Sequence, residues 1–326
     1  MILCSIATRG RYDTTLPLTL QAIINQTKRV DKLVIFDDND QPKDMREVQL
    51  YQYLFDIMRL KGIQWEWVYA LKKGQHYSHQ LANDMAQKQG YTWVFRVDDD
   101  CLPEPHVLET LYSYTNDKLG AVGGAILTPP FAPVVNVTGK IENIDAEPSI
   151  QWDYIKEVKS VDHLHCSFLY RAGVQDYNLG LSRVAFREET LFTYGLKQKG
   201  YEILVVPNAN IWHLKNKHGG VRTEQEILFR QDDAIFRNTL KLKEQTIVVL
   251  DNGLGDHIIA KSILPLIKNP VCFTCYPEIV PGRSIQEAKD LFGSLDQWNI
   301  YKKMDQWNWK DSLENAFKKM YLGDKV

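Results

Sequence analysis

The sequence predicts an α/β fold whose core is a mainly parallel sheet flanked by helices, followed by a small second α/β segment. Three observations predict it. Over the first hundred residues, short apolar runs alternate with longer amphipathic ones, the pattern of strands covered by crossover helices. Three apolar runs end in polar or charged clusters, where open α/β sheets place their ligand-binding loops. After residue 245, an apolar run, a glycine turn and a helical run start the pattern afresh.

The elements follow in order. Residues 2–7 are a short apolar strand that exits into Thr8-Arg9-Gly10-Arg11, and residues 16–26 read as a helix. A second strand, 32–36, ends in Asp37-Asp38-Asn39-Asp40 and leads to a helix over 43–60. Residues 65–69 form a third strand, and 76–89 a helix with Tyr77, Leu81 and Met85 recurring on one face. The fourth strand, 91–97, runs into Asp98-Asp99-Asp100. Beyond Pro103 the alternation loosens into an apolar stretch over 121–126, a proline-rich loop and a polar segment to Asp162, read as α+β material added to the first half. Residues 202–206 are a strand and 224–243 a charged helix. A strand at 246–250, the turn Asp251-Asn252-Gly253-Leu254-Gly255-Asp256 and a helix over 257–267 then place a domain boundary near 245, giving domains 1–245 and 246–326.

Composition narrows the function classes. The chain has 326 residues, 44% of them hydrophobic, enough for a sizeable core. Lysine and arginine number 39 against 41 acidic residues, so no global positive field gathers nucleic acid or anionic lipid. The N-terminus lacks the basic head of a signal peptide, and no run approaches the roughly 20 apolar residues of a membrane span. Five cysteines, an odd number, include one pair with metal or redox spacing, Cys272 and Cys275. Without a second pair, a structural zinc is not expected there, and a reducing, cytoplasmic location is the default expectation. The sequon Asn136-Val137-Thr138 carries no weight in a chain that is not secreted.

Three adjacent carboxylates after an apolar strand repel one another and need a compensating cation or full solvation. In an extended chain Asp98 and Asp100 share a face and Asp99 points elsewhere. Hard oxygen ligands of this kind suit Mn2+ or Mg2+ shared with a substrate diphosphate. The alternative is a solvated acidic turn capping a helix that begins near Glu104.

Four blocks of this sequence, in order, resemble the family 2 glycosyltransferases over residues 1 to 240. The first is the strand exit Thr8, Arg9, Arg11, and the second is Val34-Ile35-Phe36-Asp37-Asp38. The third is Asp98-Asp99-Asp100. The fourth runs from Phe168-Leu169-Tyr170-Arg171 through Asp176-Tyr177-Asn178-Leu179-Gly180 and Arg187-Glu188-Glu189-Thr190-Leu191 to Gly200-Tyr201. The resemblance implies the GT-A nucleotide-diphospho-sugar transferase fold, a Rossmann-like mixed sheet flanked by helices. It implies a nucleotide-sugar donor, with a UDP sugar expected and the base not fixed by the sequence, and a glycan or other hydroxyl acceptor. By the same resemblance Asp98 and Asp100 hold the metal and diphosphate, and Thr8, Arg9, Arg11, Asp37, Asp38 and Asp99 are expected to line the donor site. Glu189 stands where the family carries its catalytic base, usually an aspartate, and Glu188 is the alternative base. Both also favour the positive end of the helix that follows. The segment from Pro207 to His213 resembles one whose histidine reaches the metal or diphosphate, against the simpler reading of His213 as a packed side chain. Lys72, Lys73 and Gly74, with His76 and Asn83, sit near the donor in comparable folds. Lys215, Lys217, His218 and Arg222 flank Gly219-Gly220 in a loop that reads as mobile, where positive groups suit a departing diphosphate or are simply solvated.

The implied chemistry is one in-line displacement with inversion. Residues 253–258 resemble the opening turn of heptosyltransferase-like GT-B enzymes, but the remaining stretch is too short for that fold. A truncated longer chain, a remnant and a docking module all account for it, and no catalysis is expected of it. Two rival readings remain, with a third that keeps the enzyme class and changes the acceptor. They are a nucleotide-sugar-binding module without turnover, a nucleotidyltransferase, for which Thr8-Arg9-Gly10-Arg11 is too poor in glycine, and transfer to a modified nucleic acid, against which the balanced charge argues. Trp152, His163, His165 and Tyr177 are candidate acceptor contacts and equally candidate core residues.

Overall fold

The computed structural model describes residues 1–70, 73–129, 135–142, 149–153, 156–221, 226–243, 246–250, 270–274 and 298–300. Lys72, Arg222, Cys275, the turn over 253–258 and the helix expected at 257–267 lie outside the described residues. The chain divides into two compact units, Met1–Asn143 with Ser149–Asp233, and Ile144–Pro148 with Ala234–Val326.

In the first unit, β1 (Ile2–Thr8) lies between β2 (Lys32–Asp37) and β4 (Trp93–Arg96), with β3 (Gln64–Tyr69) outside β2, all parallel. The sheet continues through β10 (Phe168–Arg171), antiparallel to both neighbours, then β6 (Leu119–Leu127), β11 (Glu202–His213) and β5 (Cys101–Pro103). It is therefore a mixed sheet with a parallel half. Strand β1 is largely apolar, and buried apart from half-buried Ala7, because both of its faces are covered. Ile2, Cys4 and Ile6 pack with α1 (Leu16–Ile24) and α2 (Gln49–Leu60), while Leu3 joins the opposite core under α3 (Gln75–Lys88) and α5 (Glu188–Gln198).

Local departures from the sequence reading have physical causes. The helix expected over 43–60 begins as a 3-10 turn, Met45–Glu47, capped by the Asp44 carboxylate, and extended Val48 separates it from α2. On α3 the stripe Tyr77, Leu81, Met85 is not the buried face. Leu81 is 43% exposed, and the helix buries His76, Ser78, His79, Ala82, Asn83 and Ala86 instead. Small residues let this helix lie close on the sheet, and part of its polar face is bonded: His79 Nδ1 lies 3.2 Å from Ser5 Oγ, and Asn83 Nδ2 donates to the Gln175 carbonyl at 3.0 Å. The strand expected over 202–206 runs on to His213. Val206 pairs with Gly124 and Asn210 with Ala125, so Pro207, Asn208 and Ala209 bulge out of the ladder. Proline is tolerated there because a bulged residue has no ladder bond to lose.

Helix α4 (Val107–Ser113) begins past β5, and α6 (Glu226–Lys243) crosses the division between the units. The second unit contains a three-stranded parallel sheet, β12 (Thr246–Leu250), β13 (Pro270–Thr274) and β14 (Trp298–Ile300). Two short ribbons, β7 (Val135–Glu142) with β8 (Ser149–Asp153), and β9 (Lys159–Ser160) on β11, complete the first unit. Among the described residues no helix is long and apolar enough to cross a membrane.

Candidate active site

Because β2, β1 and β4 are parallel neighbours, their carboxyl ends open side by side, with Thr8 opposite Asp37 and Ser5 opposite Arg96. A cleft forms there, lined by Thr8, Arg9, Arg11, Asp38, Asp98, Asp99 and Asp100 together with Gln75, Arg183 and Gly220. It adjoins a second cavity, which shares Gln75, Asp98 and Val184 with it and adds His165, Glu189, His213 and Lys215.

The acidic triplet converges for a different reason than strand alternation. Strand β4 ends at Arg96, and the Cys101 N–H donates to the Asp98 carbonyl at 3.0 Å, so the triplet is a turn between β4 and β5. Carboxylate oxygens of Asp98 and Asp100 and the Cys101 sulfur lie within 4.8 Å of one another. The capping alternative is not what the structure has, since β5 intervenes and α4 starts after His106.

Two buried arginines supply much of the compensating charge. Arg11 Nη1 contacts Asp99 Oδ1 at 2.5 Å and Asp100 Oδ2 at 2.9 Å. Burial works against the charge of Arg11, but Asp99 and Asp100 outweigh it and raise its pKa. Burial likewise lifts Asp99, to about 6, against the pull of Arg11. Arg96, fully buried, forks onto Glu188 at 2.5 and 2.8 Å and reaches Asp98 at 3.2 Å.

This separates the two candidate bases. Both lie in the first turn of α5, as helix electrostatics favours. Glu188 is fully buried, held by Arg96 and by Gln75 Nε2 at 3.0 Å, and does not line either cavity. Glu189 faces the second cavity, its Oε1 3.1 Å from His165 Nδ1. Burial would raise the Glu189 pKa, but the hydrogen bond and charge of His165, with Arg96 behind, hold it down to about 2. Burial presses on His165 too, yet Cys166 and Glu189 bring it up to about 9.

The remaining predicted residues divide. Asp38 accepts the Gly74 N–H at 3.2 Å and faces the cleft, its pKa raised by burial. Asp37 is turned away, accepting the Tyr12 hydroxyl and Asn39 Nδ2. Lys73 is exposed and lies over the Tyr77 ring at 5.0 Å, away from the cleft wall. His213 is buried at the end of β11, with Nε2 3.4 Å from Asp100 Oδ1. The loop that reads as mobile is hooked onto the cleft. Gly220 N–H donates to the Arg9 carbonyl at 2.9 Å, Arg11 Nε donates to the His218 carbonyl at 3.3 Å and Asn216 N–H donates to Asp100 Oδ2 at 3.2 Å. Gly219 permits this docking, since its φ is +82° and a Cβ there would stand 2.6 Å from the Arg9 carbonyl oxygen. Arg96, Gln75 and Arg183 were not singled out in the sequence. Arg96 carries the one available signal, a cation closing an apolar strand, which needs a carboxylate partner once buried.

No protein-family model matches the sequence, and no curated protein matches it. Solved structures do resemble it. The crystal structure of GalNAc-T7 with UDP, GalNAc and Mn2+ superposes with a TM-score of 0.54 at 13% identity, covering 98% of this chain and 58% of that one. S. aureus TarS 1-349 in complex with UDP-GlcNAc gives 0.50 at 12% identity, covering 73% and 66%. The chain thus spans 58% of the GalNAc-T7 chain, 66% of the TarS 1-349 fragment and 36% of the longer TarS structure. At these identities the likeness is one of architecture: the chain has the GT-A glycosyltransferase fold.

Proposed function

We propose that the protein is a divalent-cation-dependent glycosyltransferase of the family 2 type, moving a sugar from a nucleoside diphosphate sugar, with UDP the expected nucleotide, to an acceptor hydroxyl. One observation carries the reading: a cleft walled by cationic and acidic strand ends opens, through Asp98, into a cavity holding an ionised carboxylate, Glu189. The fold supports it, since both solved relatives were crystallised with UDP or a UDP sugar. Asp98 and Asp100 fit a hard cation, their oxygens being within the span that one ion takes, and His213 is the third expected ligand. Bound there, Mn2+ or Mg2+ supplies Lewis-acid stabilisation of the leaving diphosphate.

The chain's own residues do the rest. Arg9, Arg11 and Arg183 line the donor cleft and offset phosphate charge, and Asp38 stands at its wall for the nucleoside. Glu189 takes the proton of the acceptor hydroxyl from the second cavity, on the side opposite the donor, giving inversion at the anomeric carbon. Domains 1–245 and 246–326 remain the proposed organisation, with catalysis in the first. A second reading, a nucleotide-sugar-binding module without turnover, is favoured by the His165 contact, which makes Glu189 a weak base.

A thermal-shift screen of nucleoside diphosphates with and without Mn2+ tests donor recognition, and transfer from a labelled donor with product anomer read by NMR tests the chemistry. The expected result is a cation-dependent rise with one nucleotide, lost in Asp100→Ala, and inverted product. Binding without turnover selects the module, and no stabilisation by any nucleotide sinks both readings.

A further inference from the structure

We propose that Cys101, Cys166 and His213 form a binding site for a thiophilic divalent cation, with zinc its expected occupant. The two sulfurs and a ring nitrogen of His213 lie within 4.8 Å of one another, and all three residues are buried. They are dispersed in sequence, so no spacing motif announces them, and the sheet assembles them. Cys101 on β5 and His213 on β11 are directly opposed cross-strand partners, which puts their side chains on one face about 4.5–5.5 Å apart at Cβ. Cys166 comes from the turn entering β10, with φ of +39°, a conformation that non-glycine residues rarely hold without local compensation.

A second observation points to a ligand. Neither ring nitrogen of His213 makes a hydrogen bond among the described residues, although the side chain is 4% exposed and its nearest carboxylate oxygen is 3.4 Å away. Buried imidazoles normally have partners, and a cation meets that need. Two thiolates and an imidazole are the donor set zinc prefers, whereas Mn2+ and Mg2+ favour the oxygens of Asp98 and Asp100. On binding, Cys101 and Cys166 each release a proton, and two thiolates balance the dication. His213 and Asp98 both line the second cavity, which gives the ion a route from solvent.

The site uses residues outside the donor-binding reading except for His213. Occupied by zinc, it withdraws His213 from the carboxylate centre and leaves Asp98 and Asp100 to grip the donor's cation.

The full chain, reduced and stripped of metal, is titrated with Co2+ as the probe. The expected result is a thiolate-to-cobalt charge-transfer band, removed by equimolar Zn2+. Cys101→Ser and Cys166→Ser are expected to lose it and to weaken binding by more than the roughly 100-fold that outer-shell changes reach. Cys4→Ser, a buried cysteine outside the cluster, keeps the band. Zinc-edge X-ray absorption on the unaltered protein needs no variant to fold and is expected to show sulfur neighbours. Zinc surrounded by oxygen and nitrogen alone, or no binding of either metal, overturns the proposal. An Asp98→Asn/Asp100→Asn variant separates the two centres. It is expected to retain the charge-transfer band while losing Mn2+-dependent stabilisation by UDP, and loss of the band there also overturns the proposal.

Discussion

Replacing Glu188 by leucine removes one side of the Arg96–Glu188 pair and leaves a fully buried guanidinium behind. Arg96 keeps Asp98 at 3.2 Å and the Phe168 ring at 5.3 Å, but loses its two shortest contacts. Breaking a buried pair from one side costs about 3–5 kcal/mol, and the residual contact with Asp98 places this case near about 3 kcal/mol. For m of about 2 to 3 kcal/mol/M, that lowers the urea midpoint by roughly 1 to 1.5 M. Replacing both partners, Arg96→Met with Glu188→Leu, removes the stranded charge and is expected to return stability to within about 1 kcal/mol of the parent. Full recovery is not expected, because Asp98 then loses its guanidinium neighbour. Urea unfolding of the parent, both single variants and the double variant, followed by circular dichroism, gives the coupling energy directly. A double variant as unstable as the sum of the singles would refute the reasoning, as would a Glu188→Leu protein with an unchanged midpoint.

Arg11→Met strips Asp99 and Asp100 of their shared guanidinium; the protein is expected to lose roughly 2–4 kcal/mol of stability and to regain part of it in millimolar Mn2+, measured by thermal shift. Glu189 has a depressed folded pKa, so its contribution is present above about 4.5 and lost as pH falls toward about 2. The fall from 4.5 to about 2 corresponds to about 3 kcal/mol, so stability between those pH values is expected to drop less in Glu189→Gln than in the parent; equal slopes remove the His165 pairing from consideration. Gly124→Ala places a Cβ 1.9 Å from the Ala209 carbonyl oxygen, a backbone atom that cannot swing aside, and is expected to cost about 3 kcal/mol in chemical denaturation.

Legibility from sequence followed locality. Strands β1 to β4 and the clusters at their ends were readable because apolar runs and acidic exits are local signals, and a parallel sheet then places those exits side by side. The mixed α/β fold read from the residue blocks is the fold observed. Glu188 and Glu189 were adjacent and alike in the chain. Only tertiary packing turned one into Arg96 and the other toward a cavity with His165. The charge balance of the triplet was likewise hidden, since Arg11 reaches Asp99 from the far-upstream exit of β1 and Arg96 is shared between Asp98 and the distant Glu188. The polar buried face of α3 ran against hydrophobic periodicity because part of its cost is met by bonds to Ser5 and Gln175, partners far away in the chain.

The bulge at Pro207, Asn208 and Ala209 works as a phase shifter for everything downstream in β11. Ile211 and His213 point inward while Trp212 lies partly open, because an odd number of residues is looped out between Val206 and Asn210. A one-residue slip of β11 against β6 beyond the bulge would invert that alternation. Trp212 would then turn toward Cys101 and Asp100, and the imidazole would face the opposite side. The chemistry near Asp100 therefore depends on a register set several residues upstream, at a bulge that lines neither the cleft nor the second cavity.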